Sequence, residues 1–225
     1  MAETDRGTVI FDLDGTLVDS APDLSDALDA VLAERGLAPI GLLGTRALIG
    51  HGIAELVRAG LATRGQTLPP DDLARAVARF LTHYTAHLSR KSRPYPGAAE
   101  VLTHLRQSGW RLAVCTNKLE ASARALLGDL GLLSNFAIVA GPDTFGVAKP
   151  HPGHLLGCLP AGPANAILIG DSEVDVACAR AGGLPVIAAT WGYAKRPVAE
   201  FGPDAIVDRL ADVPALVERL IGTPA

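Results

Sequence analysis

The chain has 225 residues, 48% of them hydrophobic, with a formal net charge of -4. This length and apolar content allow a full core with room for an insertion and exclude a disordered chain. The mild acidity excludes a general attraction to nucleic acid or to an anionic membrane, so any cations that bind a ligand must be local.

Val9-Ile10-Phe11 is a β-branched and aromatic run that predicts a buried strand, ending at Asp12-Leu13-Asp14-Gly15-Thr16. Alternation puts Asp12 and Asp14 on one side and Leu13 on the other. Carboxylates that close repel unless a cation or a shared proton relieves them, and a magnesium ion, small and oxygen-seeking, is the natural relief. Next, Leu24, Leu28, Val31 and Leu32 recur at helical spacing within Ala21 to Arg35, which the Asp19-Ser20 pair is expected to cap and Gly36 to close. Thr45 to Arg64 and Asp71 to Leu88 are further helical candidates, the latter following Pro69-Pro70 with aspartates in its first turn. With no strand pattern among them, residues 20–92 read as an all-helical insertion, and Arg93-Pro94-Tyr95-Pro96 as the return linker.

From Gly97 helix and strand patterns alternate. Helices are expected at Ala98 to Ser108, Glu120 to Leu130, His154 to Leu159 and Glu173 to Ala181, and strands at Arg111 to Cys115, Phe136 to Ala140, Ala166 to Ile169, Val186 to Ala189 and Ala205 to Val207. Such alternation predicts an α/β fold, a parallel sheet covered by helices on both faces, with its site beyond the carboxyl ends of the strands. Asp12, Thr116 and Asp171 each fall there. Pro160 to Pro163 reads as a surface loop. Cys115, Cys158 and Cys178 are far apart and lack a Cys-x-x-Cys pair, so they read as reduced core thiols. No apolar run approaches the roughly 18 residues of a membrane helix, and the acidic opening Met1-Ala2-Glu3-Thr4-Asp5 signals no export, so a cytoplasmic protein without a membrane partner is expected.

Each chemical word has a plainer reading. Asp14-Gly15 alone is a hairpin signal, but a hairpin explains neither Asp12 nor the helical insertion that follows. Ser172-Glu173-Val174-Asp175 is a capping box, which leaves Asp171 unexplained. Lys149 could be a solvated loop lysine, although lysine is scarce, the only four being Lys91, Lys118, Lys149 and Lys195. His51, between Gly50 and Gly52, could be a loop histidine without a role. No phosphate-binding Gly-x-x-x-x-Gly-Lys loop, Gly-x-Ser-x-Gly elbow, His-Glu-x-x-His pair or complete calcium loop occurs.

Taken in order, Asp12-Leu13-Asp14-Gly15-Thr16, Thr116-Asn117, Lys149-Pro150 and Gly170-Asp171-Ser172-Glu173-Val174-Asp175 resemble the motifs of the haloacid dehalogenase superfamily, in particular its aspartate-dependent phosphatases. The words VIFDLDGTLVDSAPDL from Val9 to Leu24, Tyr95-Pro96-Gly97, Thr116-Asn117-Lys118, Lys149-Pro150-His151-Pro152 and Trp191-Gly192-Tyr193 are most similar to the phosphoglycolate phosphatase family within it. The resemblance implies a Rossmann-like catalytic core, residues 1–19 and 93–225, with a helical cap, residues 20–92. It implies Asp12 as nucleophile, Asp14 as acid and base, and Thr116 and Lys149 as phosphoryl ligands. Magnesium would be held by Asp12, Asp171 and the Asp14 carbonyl, with Asp175 and Ser172 supporting that site through hydrogen bonds or water.

Asn117 and Lys118 are expected to line the pocket. The insertion from Ser20 to Arg90 contains no lysine, which argues against relatives that need one there, and Asp14 argues against dehalogenation. Arg46 and the Gly50-His51-Gly52 turn are then the candidates to hold a small carboxylate, with Arg58, His83 and His87 as further cations. The expected activity is hydrolysis of phosphoglycolate, or else of another small phosphate ester, a nucleotide or pyrophosphate, by a monomer or homodimer. A non-catalytic phosphate-binding module is the alternative of a different class.

Overall fold

In a computed structural model, which describes residues 6–161 and 165–222, the chain forms eight strands among the described residues. They are Thr8–Phe11 (β1), Val18–Asp19 (β2), Arg93–Pro94 (β3), Arg111–Cys115 (β4), Ile138–Ala140 (β5), Ala166–Gly170 (β6), Val186–Ala189 (β7) and Ala205–Val207 (β8). Six form one sheet in the order β5-β4-β1-β6-β7-β8, every pair parallel. β1 is central: Phe11 lies beside Val114 on one side and Ile169 on the other, so the ends of β1, β4 and β6 come level at one edge.

The strands read as continuous apolar runs because both faces are covered. Val9, Phe11, Leu112, Val114, Ile167 and Ile169 enter one core, and Ile10, Ala113, Cys115 and Leu168 the other, which is the period-two alternation of a pleated strand.

The helices are Ala21–Glu34 (α1), Gly41–Arg46 (α2), Ile53–Ala62 (α3), Pro70–Ala86 (α4), Ala98–Gln107 (α5), Glu120–Asp129 (α6), Pro142–Phe145 (α7), Pro152–Leu156 (α8), Glu173–Gly182 (α9) and Val213–Ile221 (α10). α5, α6 and α10 contribute Leu102, Leu105, Leu126, Leu127 and Val217 to the first core, while α8 and α9 contribute Leu155, Val176 and Ala179 to the second. α1 to α4 pack through Leu28, Leu32, Leu61 and the stacked Phe80 and Tyr84 rings. Their segment leaves and re-enters the sheet layer through an antiparallel β2–β3 ladder, Val18 beside Pro94 and Asp19 beside Arg93.

Three local expectations change. The Asp19-Ser20 cap does not form: the Ser20 hydroxyl donates to the Asp14 carboxylate, a charge-assisted bond stronger than a cap. The helix expected from Thr45 to Arg64 is broken into α2 and α3, because Gly50 at φ +130° and Gly52 at φ +84° turn the chain through a region that favours glycine. Arg93 and Pro94 are not a free linker but the return strand of the ladder. All three cysteines are buried and free. No helix among the described residues is long and apolar enough to cross a membrane. Pro160 of the expected surface loop is exposed, while Gly162 and Pro163 lie outside the described residues, as do residues 1–5 and 223–225.

Candidate active site

At the end of β1 the Asp12 amide still bonds to the Ile169 carbonyl at 2.9 Å, and the chain then turns sharply, the Leu13 carbonyl accepting from Thr16, Leu17 and Val18. Gly15 sits at φ +92°, and a Cβ there would lie 2.6 Å from the Asp171 carboxylate; one on Gly192 would lie 2.2 Å away. Two glycines thus leave a cradle for the Asp171 carboxylate that a Cβ at either position would invade. Asp171 is oriented by the Thr16 hydroxyl at 2.8 Å and the Tyr193 amide at 2.6 Å.

Lys149 arrives on the loop after α7, across a cis bond to Pro150. Its ammonium is 2.8 Å from Asp12 and 2.6 Å from Asp175, with only 2% of the side chain exposed. The expected capping box at α9 is present: Asp175 accepts from the Ser172 amide and hydroxyl, and Ser172 accepts from the Asp175 amide. Both oxygens of Asp175 are therefore engaged, one by Lys149 and one by Ser172. Asn117 ties the loops together, accepting from the Lys149 amide at 2.9 Å and donating to the carbonyls of Lys149 and Gly50, each at 3.1 Å. Thr116 is buried, and its hydroxyl accepts from the Lys118 amide.

Asp14 carries a separate ion pair. The Lys118 ammonium lies 2.9 and 3.0 Å from its two oxygens and 4.7 Å from the centre of the Tyr84 ring, which brings α4 against the sheet edge. Burial opposes the charge of Lys118, but Asp14 and Tyr84 outweigh it and hold the ammonium above the usual lysine range.

Ligand oxygens of Asp12, Asp171 and Asp175 all lie within 4.8 Å of one another. Burial, with Asp175 adding to it and Lys149 opposing, pushes the Asp12 carboxyl up to about 7. Burial, then Asp175 and Asp12, push Asp171 up to about 8. Burial also works against the charge of Lys149, and Asp12 and Asp175 overcome it, holding that ammonium well above the usual value. Three carboxylates facing one ammonium leave negative charge uncompensated, in a cradle kept open by glycines and furnished with oxygen donors. That chemistry fits a hard divalent cation.

A cleft opens between this edge and the helices, lined by Asp12, Asp14, Thr116, Asn117, Lys118 and Lys149 below and by Leu24, Ile49, Gly50, Gly52, Ile53 and Leu56 above. The structure thus brings together every expected core residue but not the expected cations of the insertion. Arg46 pairs with Asp19 at 2.6 Å instead of lining the cleft, drawn to the nearer carboxylate. His51 is exposed and outside the lining. Arg58 pairs with Glu55 and His83 with Glu34, both in solvent, and His87 is exposed. Leu24, Ile53 and Leu56 escape sequence reading because an apolar residue at helical spacing looks the same whether it faces a core or a ligand.

The family model for haloacid dehalogenase-like hydrolases matches residues 9–189, from β1 through β7. The chain belongs to this hydrolase family. The phosphoglycolate phosphatase of Mesorhizobium japonicum is 42% identical over 220 residues, spanning 96% of this hydrolase and 97% of the relative. That of Agrobacterium fabrum is also 42% identical, over 96% and 94% of the two chains. A crystal structure of a predicted phosphoglycolate phosphatase from Haemophilus somnus superposes with a TM-score of 0.87 at 30% identity, covering 95% of this hydrolase and 99% of that chain.

Proposed function

We propose that this hydrolase is a magnesium-dependent phosphatase that works through an aspartyl phosphate on Asp12 and cleaves phosphoglycolate to glycolate and phosphate. The observation that carries the reading is the convergence of Asp12, Asp14, Thr116 and Asp171 at the level ends of β1, β4 and β6, with Lys149 reaching Asp12 from the loop after α7, beside one cleft. Relatives 42% identical over nearly the whole chain bear that activity in their names.

When bound by Asp12, Asp171 and the main-chain carbonyl of Asp14, magnesium supplies the positive charge that keeps the buried carboxylates ionised and neutralises phosphoryl oxygens. Asp12 attacks phosphorus in line, a bond forms from its carboxylate oxygen, and the ester bond to the leaving oxygen breaks. Asp14, across the intervening Leu13, gives that oxygen a proton. It then takes one from the water that attacks phosphorus and releases Asp12. Lys149 holds a phosphoryl oxygen and steadies Asp12, and the Thr116 hydroxyl donates to another. Asp175, its oxygens occupied, fixes Lys149 rather than binding the metal.

For the leaving group, Lys118 and Lys149 are the two cations among the described residues lining the cleft. Lys149 belongs to the phosphate side, which leaves Lys118, with the backbone at Gly50 and Gly52, to meet a carboxylate. Lys118 would do so by giving up its ion pair with Asp14, which frees that carboxyl to take up the proton it delivers. Closure of the helices over it excludes bulk water. The wall of Leu24, Ile49, Ile53 and Leu56 favours a second reading, in which the leaving alcohol is small and uncharged. A panel of small phosphate esters separates the two: phosphoglycolate is expected to exceed ethyl phosphate in kcat/KM by about 100-fold, the scale of one lost charged contact. Equal rates for both would overturn the substrate assignment, and no magnesium-dependent turnover of any ester would overturn the phosphatase.

A further inference from the structure

The Trp191-Gly192-Tyr193 segment after β7 takes no part in the steps above, yet it is wired to two of the three aspartates on which they depend, Asp171 and, through Ser20, Asp14. The Trp191 indole donates to the Thr16 carbonyl, and the Thr16 hydroxyl donates to Asp171. The Tyr193 amide donates to the other Asp171 oxygen. The Tyr193 hydroxyl, in a residue only 8% exposed, makes every bond a phenol can make. It accepts from the amides of Ser20 at 2.9 Å and Ala21 at 3.0 Å, and donates to Asp19 at 2.7 Å. Ser20 in turn donates its hydroxyl to Asp14, while the far oxygen of Asp19 is gripped by Arg46 of α2, whose guanidinium lies 5.9 Å from the Tyr193 ring centre. One tyrosine thus joins the start of α1, the β2 strand, the helical segment and the metal-facing Asp171.

We propose that Tyr193 is a positioning residue: its hydroxyl fixes the backbone of Ser20, whose own hydroxyl aims the Asp14 carboxyl at the leaving oxygen, while its amide separately fixes Asp171. Arg46 belongs to this assembly as the clamp on Asp19. The inference rests on the acid role of Asp14 given above. The physical reason for a phenol is its capacity: a phenylalanine would strand two buried amides and a carboxylate oxygen, and the first turn of α1 would be free to carry Ser20 away from Asp14.

Tyr193→Phe separates the two functions because the amide survives the substitution. The test is rapid-quench measurement of the first chemical step with phosphoglycolate, a poor leaving group, and with nitrophenyl phosphate, a good one, alongside calorimetric titration with magnesium. Tyr193→Phe is expected to slow the phosphoglycolate step about 10-fold or more and the nitrophenyl step by less than about 3-fold, since only the former needs a proton delivered. Magnesium affinity should stay within about 2-fold, Asp171 keeping its amide bond. Ser20→Ala should show the same selectivity, and the double variant should lose no more than the worse single one. Equal losses on both substrates, or additive losses in the double variant, would overturn the proposal. Should Tyr193→Phe fail to fold, Ser20→Ala decides: a selective loss sustains the proposal and an equal loss overturns it. Asp14→Asn distinguishes the levels: if it too loses both substrates equally, the acid assignment fails and this inference with it; if it is selective and Tyr193→Phe is not, the positioning role alone is wrong.

Discussion

At the sheet edge Lys149 meets Asp12 and Asp175 at 2.8 and 2.6 Å in a pocket that shields nearly all of its side chain, whereas on the helical segment Arg79 meets Glu34 at a similar 2.7 Å in open solvent. Bond lengths alone would rank these pairs together. Burial separates them: charges taken out of water must be compensated by fixed partners, and a change in one is felt by all, while an exposed pair exchanges partners with water at little cost. The edge is therefore where residue identity constrains chemistry, and the helices above it present an apolar wall whose charges point elsewhere.

Asp12→Asn should break the buried side outright, lowering turnover at least about 10⁴-fold while the circular dichroism spectrum and the melting transition stay cooperative, because the amide keeps the shape and loses the nucleophile. Appreciable turnover, after excluding deamidation, would contradict the assignment. The contrast between sheet edge and helices sharpens with substrate choice. Lys118→Met should cut the preference for phosphoglycolate over ethyl phosphate from about 100-fold to about 10-fold or less, while His51→Ala leaves the ratio unchanged. A ratio that follows His51 and ignores Lys118 would return recognition to the helices.

Those expectations show where the sequence was legible. Asp12, Thr116 and Asp171 could be read because polar residues directly after apolar strands have few structural reasons to be there, and the parallel topology sends all strand ends to one edge. Asp14 was read from its pairing with Asp12, whereas Lys149, on a loop between helices, was read only from its place in the family's motif order. Their surroundings were not. Ser20 looked like a helix cap because local spacing cannot reveal that Asp14 competes for its hydroxyl. Arg46 looked like a substrate cation because its partner, Asp19, lies across the fold on β2. The break at Gly50 and Gly52 was hidden by an apolar pattern that continues on either side of it. Among the described residues, β2 and β3 are only two residues each, too short for any periodicity to show.

A smaller effect follows from acidity. Asp12 and Asp171 stand at about 7 and about 8 in the metal-free fold against 3.8 for the free side chain. Between these limits the folded state holds more protons than the unfolded one, so this pair's contribution to stability declines as pH rises from about 4 to about 8. Bound magnesium would replace the lost protons. The difference in Tm between magnesium-loaded and chelator-treated protein should thus widen steadily with pH over that window, and a difference independent of pH would contradict the buried cluster. At the other extreme, Glu34→Gln removes an exposed carboxylate held to about 2 by its hydrogen bonds to Arg79 and His83. Its Tm at neutral pH should match that of the parent within experimental scatter.

The central claim is that Asp12 carries the phosphoryl group between substrate and water, and the stereochemical course at phosphorus tests it most directly. Hydrolysis of a phosphate ester made chiral with oxygen isotopes and sulfur proceeds through two in-line displacements if Asp12 is the nucleophile, so the product thiophosphate should retain configuration. Inversion would mean that water attacks the substrate directly and that Asp12 serves only as a ligand.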